Sequence, residues 1–142
     1  MPLYQCLVPA GSLDADTRGA LAEAIATVHA SVIGVPRGFV NVVFTEYEPT
    51  SYYTGGPPNT QSVITATIRV GWDSATRGEL LTRLSASWSS ITGQKSHQTM
   101  FYLNEIDPTS AMEAGMLMPA AGDEAIWARQ HNREVGDQRL LD

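Results

Sequence analysis

The sequence predicts an α+β domain of two tandem β-α-β units, which together form one four-stranded sheet with two helices on one face. Two observations carry this. The segment "TRGALAEAIATVHASVIGV" in the first half answers "TRGELLTRLSASWSSITGQ" in the second, with Thr17 falling on Thr76, fifty-nine positions further on. At that offset Gly34 meets Gly93, Glu46 meets Glu105, and "EYEPTS" falls on "EIDPTS". Self-similarity of this kind marks a duplicated structural unit. The second observation is that each copy runs strand, capped helix, glycine stop and strand, a unit whose strands are parallel with a right-handed crossover.

The elements follow in order. "MPLYQC" opens the chain with a proline directly behind the initiator methionine, at the first residue of a strand, where proline costs a sheet little. That strand runs from Leu3 to Val8, and its counterpart from Val63 to Ile68. Asp14 and Asp73 follow as helix N-caps, their carboxylates placed to accept orphan amides. The first helix has Leu21, Ala24, Ile25, Val28 and Val32 at helical spacing, and the second has Leu80, Leu84, Trp88 and Ile91. Gly34 and Gly93 suit a left-handed stop. "VNVVF" and "TMFYL" are the second strands, and a proline closes each copy.

One domain is expected over residues 1–142: a first unit at 2–51, a turn-rich connector at 52–60 ("YYTGGPPNT"), a second unit at 61–110, and a segment at 111–142. After Pro119 the composition turns polar, and this tail is expected to pack over a neighbour or a site. In "VNVVF", Val40, Val42 and Phe44 point one way and Val43 the other; in "TMFYL", Phe101 and Leu103 oppose Met100 and Tyr102. Strands apolar on both faces need cover on both, and two helices cover only one. Self-association is the economical source of the rest.

Composition narrows the function. With 43% hydrophobic and 17% charged residues the chain is globular. Its net charge of −6 disfavours nucleic acid or an anionic membrane as partner. A single cysteine, Cys6, permits no internal disulfide and fits a reducing compartment, and no apolar run or leader-like segment is evident. A cytoplasmic location is expected. His29, His97 and His131 lack metal-ligand spacing, "TGGPPN" is a loop without a following helix, and no nucleophile elbow is present, so neither metal nor cofactor is expected.

Five residues then hold the chemical interest. Removal of Met1 would turn Pro2 into a secondary amine, a base or nucleophile that no side chain supplies. His29 sits at the edge of the first helix's apolar stripe and has Trp88 as its repeat mate, which fits a satisfied core histidine as well as a site residue. Arg69 ends a strand just before Gly71, Tyr102 lies on the last strand, and Glu113 falls in "SAMEAGM". Each has an ordinary structural reading when taken singly.

Together they make the chain resemble the tautomerase superfamily, and within it the cis-3-chloroacrylic acid dehalogenase group. The resemblance runs from Pro2 to about Trp127 and takes in the His29 helix, "ATIRVG", "FYLNEI", "MEAG" and "AAGDEAIW". It implies a homotrimer acting on a small carboxylic acid. Pro2 would be the catalytic amine, and His29 and Arg69 would bind the substrate carboxylate. Tyr102 with Glu113 would position and activate water, which makes 111–142 an active-site segment followed by a tail.

The chain also departs from that group. Its dehalogenases have a second arginine three residues after the first, and here that place is Trp72, the repeat mate of Leu13. "MEAGM" has Ala114 and Met116 where the group has tyrosine and arginine. Arg77 is no evident substitute, since its mate Arg18 has no task in the sequence. Loss of one preorganised donor typically costs about 10²–10³ in rate. The expected activity is therefore keto–enol tautomerisation of phenylpyruvate-like α-keto acids, with weak 3-haloacrylate dehalogenation. Two alternatives stay open: hydration of unsaturated acids, and a non-enzymatic interaction protein if Met1 is retained.

Overall fold

The computed structural model describes residues 2–135. Its strands are β1 (Leu3–Pro9), β2 (Asn41–Tyr47), β3 (Ser62–Arg69) and β4 (Thr99–Ile106), and its two repeat helices are α1 (Ala15–Ile33) and α2 (Ser74–Thr92). The sheet order is β2-β1-β3-β4. Pairing within each unit is parallel, β1 with β2 and β3 with β4, and the units meet through the antiparallel pair β1–β3. The predicted α+β fold of two β-α-β units is therefore the one observed.

The capping chemistry follows the sequence closely. Asp14 accepts the Thr17 amide at 2.7 Å and Asp73 the Thr76 amide at 2.8 Å. Gly34 (φ 82°) and Gly93 (φ 77°) turn left-handed and return their amides to Ala30 and Ser89. A side chain at either place would strain the backbone.

Arg18 and Arg77, which have no evident task in the sequence, share one in the structure. Each donates to the carbonyl before its helix, that of Leu13 and that of Trp72, and each pairs with the repeat-matched glutamate, Glu46 at 4.0 Å and Glu105 at 3.5 Å. They fasten each strand–helix loop to the end of the next strand. Arg77 is thus a structural staple and not a substitute for a second site arginine.

Tyr4, Cys6 and Val8 of β1 and Ile64, Ala66 and Ile68 of β3 form one face of the sheet. They pack with Leu21, Ile25, Val28, Leu80, Leu84 and Trp88 into the core. Cys6 is deep in that core, where burial pushes its thiol pKa up to about 12, so it is no nucleophile near neutral pH. On the opposite face Leu3, Leu7 and Val63 are half-buried, while Val43 and Tyr102 are 44% and 51% exposed.

The chain adds elements that the repeat does not foretell. A short hairpin, β5 (Met112–Glu113) with β6 (Met116–Leu117), leads to a third helix, α3 (Glu124–Val135). Two helices on one face is thus an incomplete account. The polar tail hides a helix whose buried residues Trp127, Ala128 and His131 recur at helical spacing. Among the described residues, no helix is long and apolar enough to cross a membrane.

Candidate active site

The antiparallel β1–β3 pair sets Leu3 opposite Thr67, which brings Pro2 at the head of β1 beside Ile68 and Arg69 at the tail of β3. Pro2 is buried, and its carbonyl accepts the Asn41 amide at 3.0 Å, so the start of β1 is held against β2. Around it lies a cavity whose walls include His29, Phe39, Arg69, Trp72, Glu124 and Trp127. The cavity is tight. It leaves about 10 Å³ for the centre of a water molecule, roughly one water site.

His29 is 2% exposed, and its Nδ1 lies 2.8 Å from the hydroxyl of fully buried Tyr4. Burial, with a smaller contribution from the charge of Cys6, raises the Tyr4 phenol pKa, so Tyr4 keeps its proton. We assign that proton as donated to Nδ1, which leaves Nε2 as the protonated nitrogen. Burial first, with nearby positive charge including Arg69, lowers the His29 pKa from 6.5 to about 4. His29 is therefore a neutral hydrogen-bond donor at neutral pH.

This has a measurable consequence. Between pH 4 and 6.5 the unfolded chain takes up a proton that folded His29 refuses. Stability from this residue is full above pH 6.5, declines as pH falls toward 4 and levels off below it, a change of about 3 kcal/mol. Thermal melts across that window should show a steeper acid loss for the wild type than for His29→Gln. Equal slopes would mean that His29 is protonated in the fold.

Arg69 is 5% exposed, so the surface ion pair that a strand end suggests is in fact a buried one. Its Nη2 donates to Glu124 Oε1 at 2.6 Å, and its Nη1 to the carbonyls of Pro119 and Ala120. Burial pushes the Glu124 carboxyl up, but hydrogen bonds from Arg69 and from backbone amides outweigh it and hold the pKa below the usual value. Trp72 is half-buried against the core, as is its mate Leu13.

The structure thus gathers Pro2, His29, Arg69 and Trp72 around one cavity. It does not bring Tyr102 or Glu113 there. Tyr102 lies half-exposed on the open sheet face, and Glu113 is on the hairpin. Sequence reasoning missed Tyr4, Glu124 and the Trp127 wall. Glu124 carried one signal, an acid in the first turn of a stretch with helical spacing. The interior of the duplicated unit is filled differently. There Trp88 replaces His29, and its indole Nε1 donates to Gln94 at 2.7 Å, which also accepts from Ser62 at 3.0 Å. Among the described residues no cluster of His, Cys, Asp or Glu is placed to hold a metal.

Comparison with known proteins agrees with this architecture. A search of curated proteins found no match. The native crystal structure of a protein designated Ps01740 is 33% identical, with a TM-score of 0.76, over 78% of this chain and 99% of that one. N1, a member of the cis-3-chloroacrylic acid dehalogenase family, is 23% identical with a TM-score of 0.87, over 95% and 99% of the two chains. A wild-type fused 4-OT, described as a symmetric trimer, superposes with a TM-score of 0.76 at 19% identity, over 84% and 97%. The Tautomerase_3 family model, described as "Putative oxalocrotonate tautomerase enzyme", matches residues 1–133, both repeat units and most of α3 included. This chain belongs to that family.

Proposed function

We propose that the protein is a keto–enol tautomerase of arylpyruvate-type α-keto acids, with the secondary amine of Pro2 as its base once Met1 is removed. Met1 itself lies outside the described residues. The observation that carries the proposal is the burial of Pro2 in a largely apolar cavity, beside a neutral histidine donor and an arginine. A free α-amino group titrates near 8, and an apolar wall disfavours its charged form. Pro2 then accepts the enol hydroxyl proton and returns it to C3, as the C=C–OH system becomes CH–C=O. His29 Nε2–H and Arg69 hold the carboxylate, and the rings of Phe39, Trp72 and Trp127 suit an aryl group. Phenylenolpyruvate decay, measured on protein shown by intact mass to lack Met1, tests the reading. A rate no faster than buffer would remove it.

Hydration or dehalogenation needs a positioned water as well. Tyr102 and Glu113, the residues expected to supply it, do not line this chain's cavity. Tyr102 is on the sheet face that self-association would cover, so such a role requires a second copy. Dehalogenation is accordingly a weak side activity in this proposal.

Self-association follows from the same face. The fused 4-OT structure is described as a symmetric trimer, and its fold superposes on this one with a TM-score of 0.76. A homotrimer with the open faces packed together is the expected state. Sedimentation at micromolar concentration checks it, and a stable monomer would show that Val43 and Tyr102 are simply solvated.

A further inference from the structure

We infer that Glu124 is a specificity residue of this cavity, an internal carboxylate that holds Arg69 until a substrate carboxylate replaces it. The inference rests on the proposed α-keto acid reading. Glu124 lines the cavity, and its 2.6 Å bond lies along the wall where an incoming acid would meet Arg69. Its side chain is 13% exposed, against 5% for Arg69, so the exchange takes place at the accessible side of the pair.

The rest of the guanidinium geometry explains why one group must leave. Nη1 is committed to the carbonyls of Pro119 and Ala120, which leaves the Glu124 side as the place for a bidentate partner. The cavity as it stands admits about one water, so a phenylpyruvate-sized acid enters only if a wall moves. Parting Glu124 from Arg69 supplies that movement. Gly122, at φ 99°, joins the "PAAG" segment to α3 and donates its amide to the Glu124 carboxylate at 3.0 Å. The anchors behind it are Trp127, whose indole bonds the Leu117 carbonyl at 2.8 Å and whose ring meets Phe39 edge-on, and buried His131, whose ring centre lies 4.9 Å from that of Trp127.

A neutral ligand of the same size must part the pair as well, and its carbonyl accepts from Arg69 without restoring the charge pairing that is lost. The exchange therefore favours an anion. If the pair is closed nine times in ten, the apparent Kd for an acid is raised about tenfold over that of a freed Arg69.

The test measures 3-phenylpropanoate binding by calorimetry, on the full chain lacking Met1, for wild type and Glu124→Gln. The apparent Kd of the acid should fall about tenfold in Glu124→Gln. An unchanged or raised Kd, or failure of both proteins to bind the acid, overturns the inference. A crystal structure of the wild type with 3-phenylpropanoate keeps the question open to decision if the variant does not fold. It should show the acid on Arg69 and the Arg69–Glu124 pair parted, whereas an intact pair beside the bound acid refutes it. These readouts are of binding. Absent enol decay with a lowered acid Kd in Glu124→Gln would sink the tautomerase reading and leave the exchange standing.

Discussion

Replacing Pro2 by alanine is expected to slow phenylenolpyruvate ketonisation by about 10²–10⁴, the usual contribution of a positioned general base. The backbone at position 2 is fixed by the Asn41 amide on its carbonyl, a bond that alanine keeps, so the loss reports the ring and its nitrogen more than the fold. Alanine would present a primary amine with more rotational freedom and less apolar cover, which is why some activity should survive. A form that retains Met1 has an amide nitrogen at Pro2 and no basic lone pair, and it should fall at least as far. The wild-type profile of kcat/KM against pH should rise through a base that titrates below about 8, because the cavity excludes the water that an ammonium needs. Full activity in Pro2→Ala would mean that another group moves the proton.

What could be read from the sequence divides along a physical line. The duplicated frame was legible because its determinants are local. A carboxylate three residues before an amide, a glycine at a left-handed stop and an apolar stripe each declare themselves within one turn of helix. The arginine staples were visible only as a repeat, since the bond of Arg18 to Leu13 and that of Arg77 to Trp72 depend on how the loops close. The site was legible at Pro2, His29, Arg69 and Trp72 because a resemblance singled them out. That His29 is neutral was not legible, because it follows from its burial in the folded core and from nearby positive charge, Arg69 included. The Arg69–Glu124 pair spans 55 positions, and no period or motif announces it. α3 escaped for another reason. Its buried stripe is a tryptophan, an alanine and a histidine in a polar stretch, and composition outweighed spacing.

The same duplication shows why one unit carries the chemistry. The two copies share caps, staples and sheet register, yet their equivalent interiors differ. The first keeps His29 against Tyr4 with a cavity beyond it. In the second, the His29 position is Trp88, and a glutamine satisfies its indole. A large ring with its one polar atom paired is a stable filling. The frame is thus symmetric where it must fold and asymmetric where it must react.

Trp72→Arg is expected to raise cis-3-chloroacrylate dehalogenation by up to about 10²–10³, the worth of one preorganised donor to a developing oxyanion. In that reaction water adds to C3, protonated Pro2 gives its proton to C2, and negative charge gathers on the carboxylate as an enediolate before chloride leaves. In this chain that charge falls to Arg69, once Glu124 is displaced, with neutral His29 beside it. A guanidinium at position 72 would lie on the same cavity wall and serve either as a second donor or as a new partner for Glu124 that frees Arg69. Both routes strengthen the anion site, the first mainly in kcat and the second mainly in KM. Loss of the ring works against the gain. Trp72 packs on the core as Leu13 does, and its removal from a half-buried site should cost on the order of 1–3 kcal/mol. The Arg77 staple survives, because it binds the backbone carbonyl of residue 72 and not the ring. Aryl enols should meanwhile turn over more slowly, having lost an aromatic wall. Chloride release, enol decay and thermal melts on both proteins decide the matter. If the unmodified protein releases chloride efficiently and the arginine adds nothing, the anion site is already complete and Trp72 does not set the reaction.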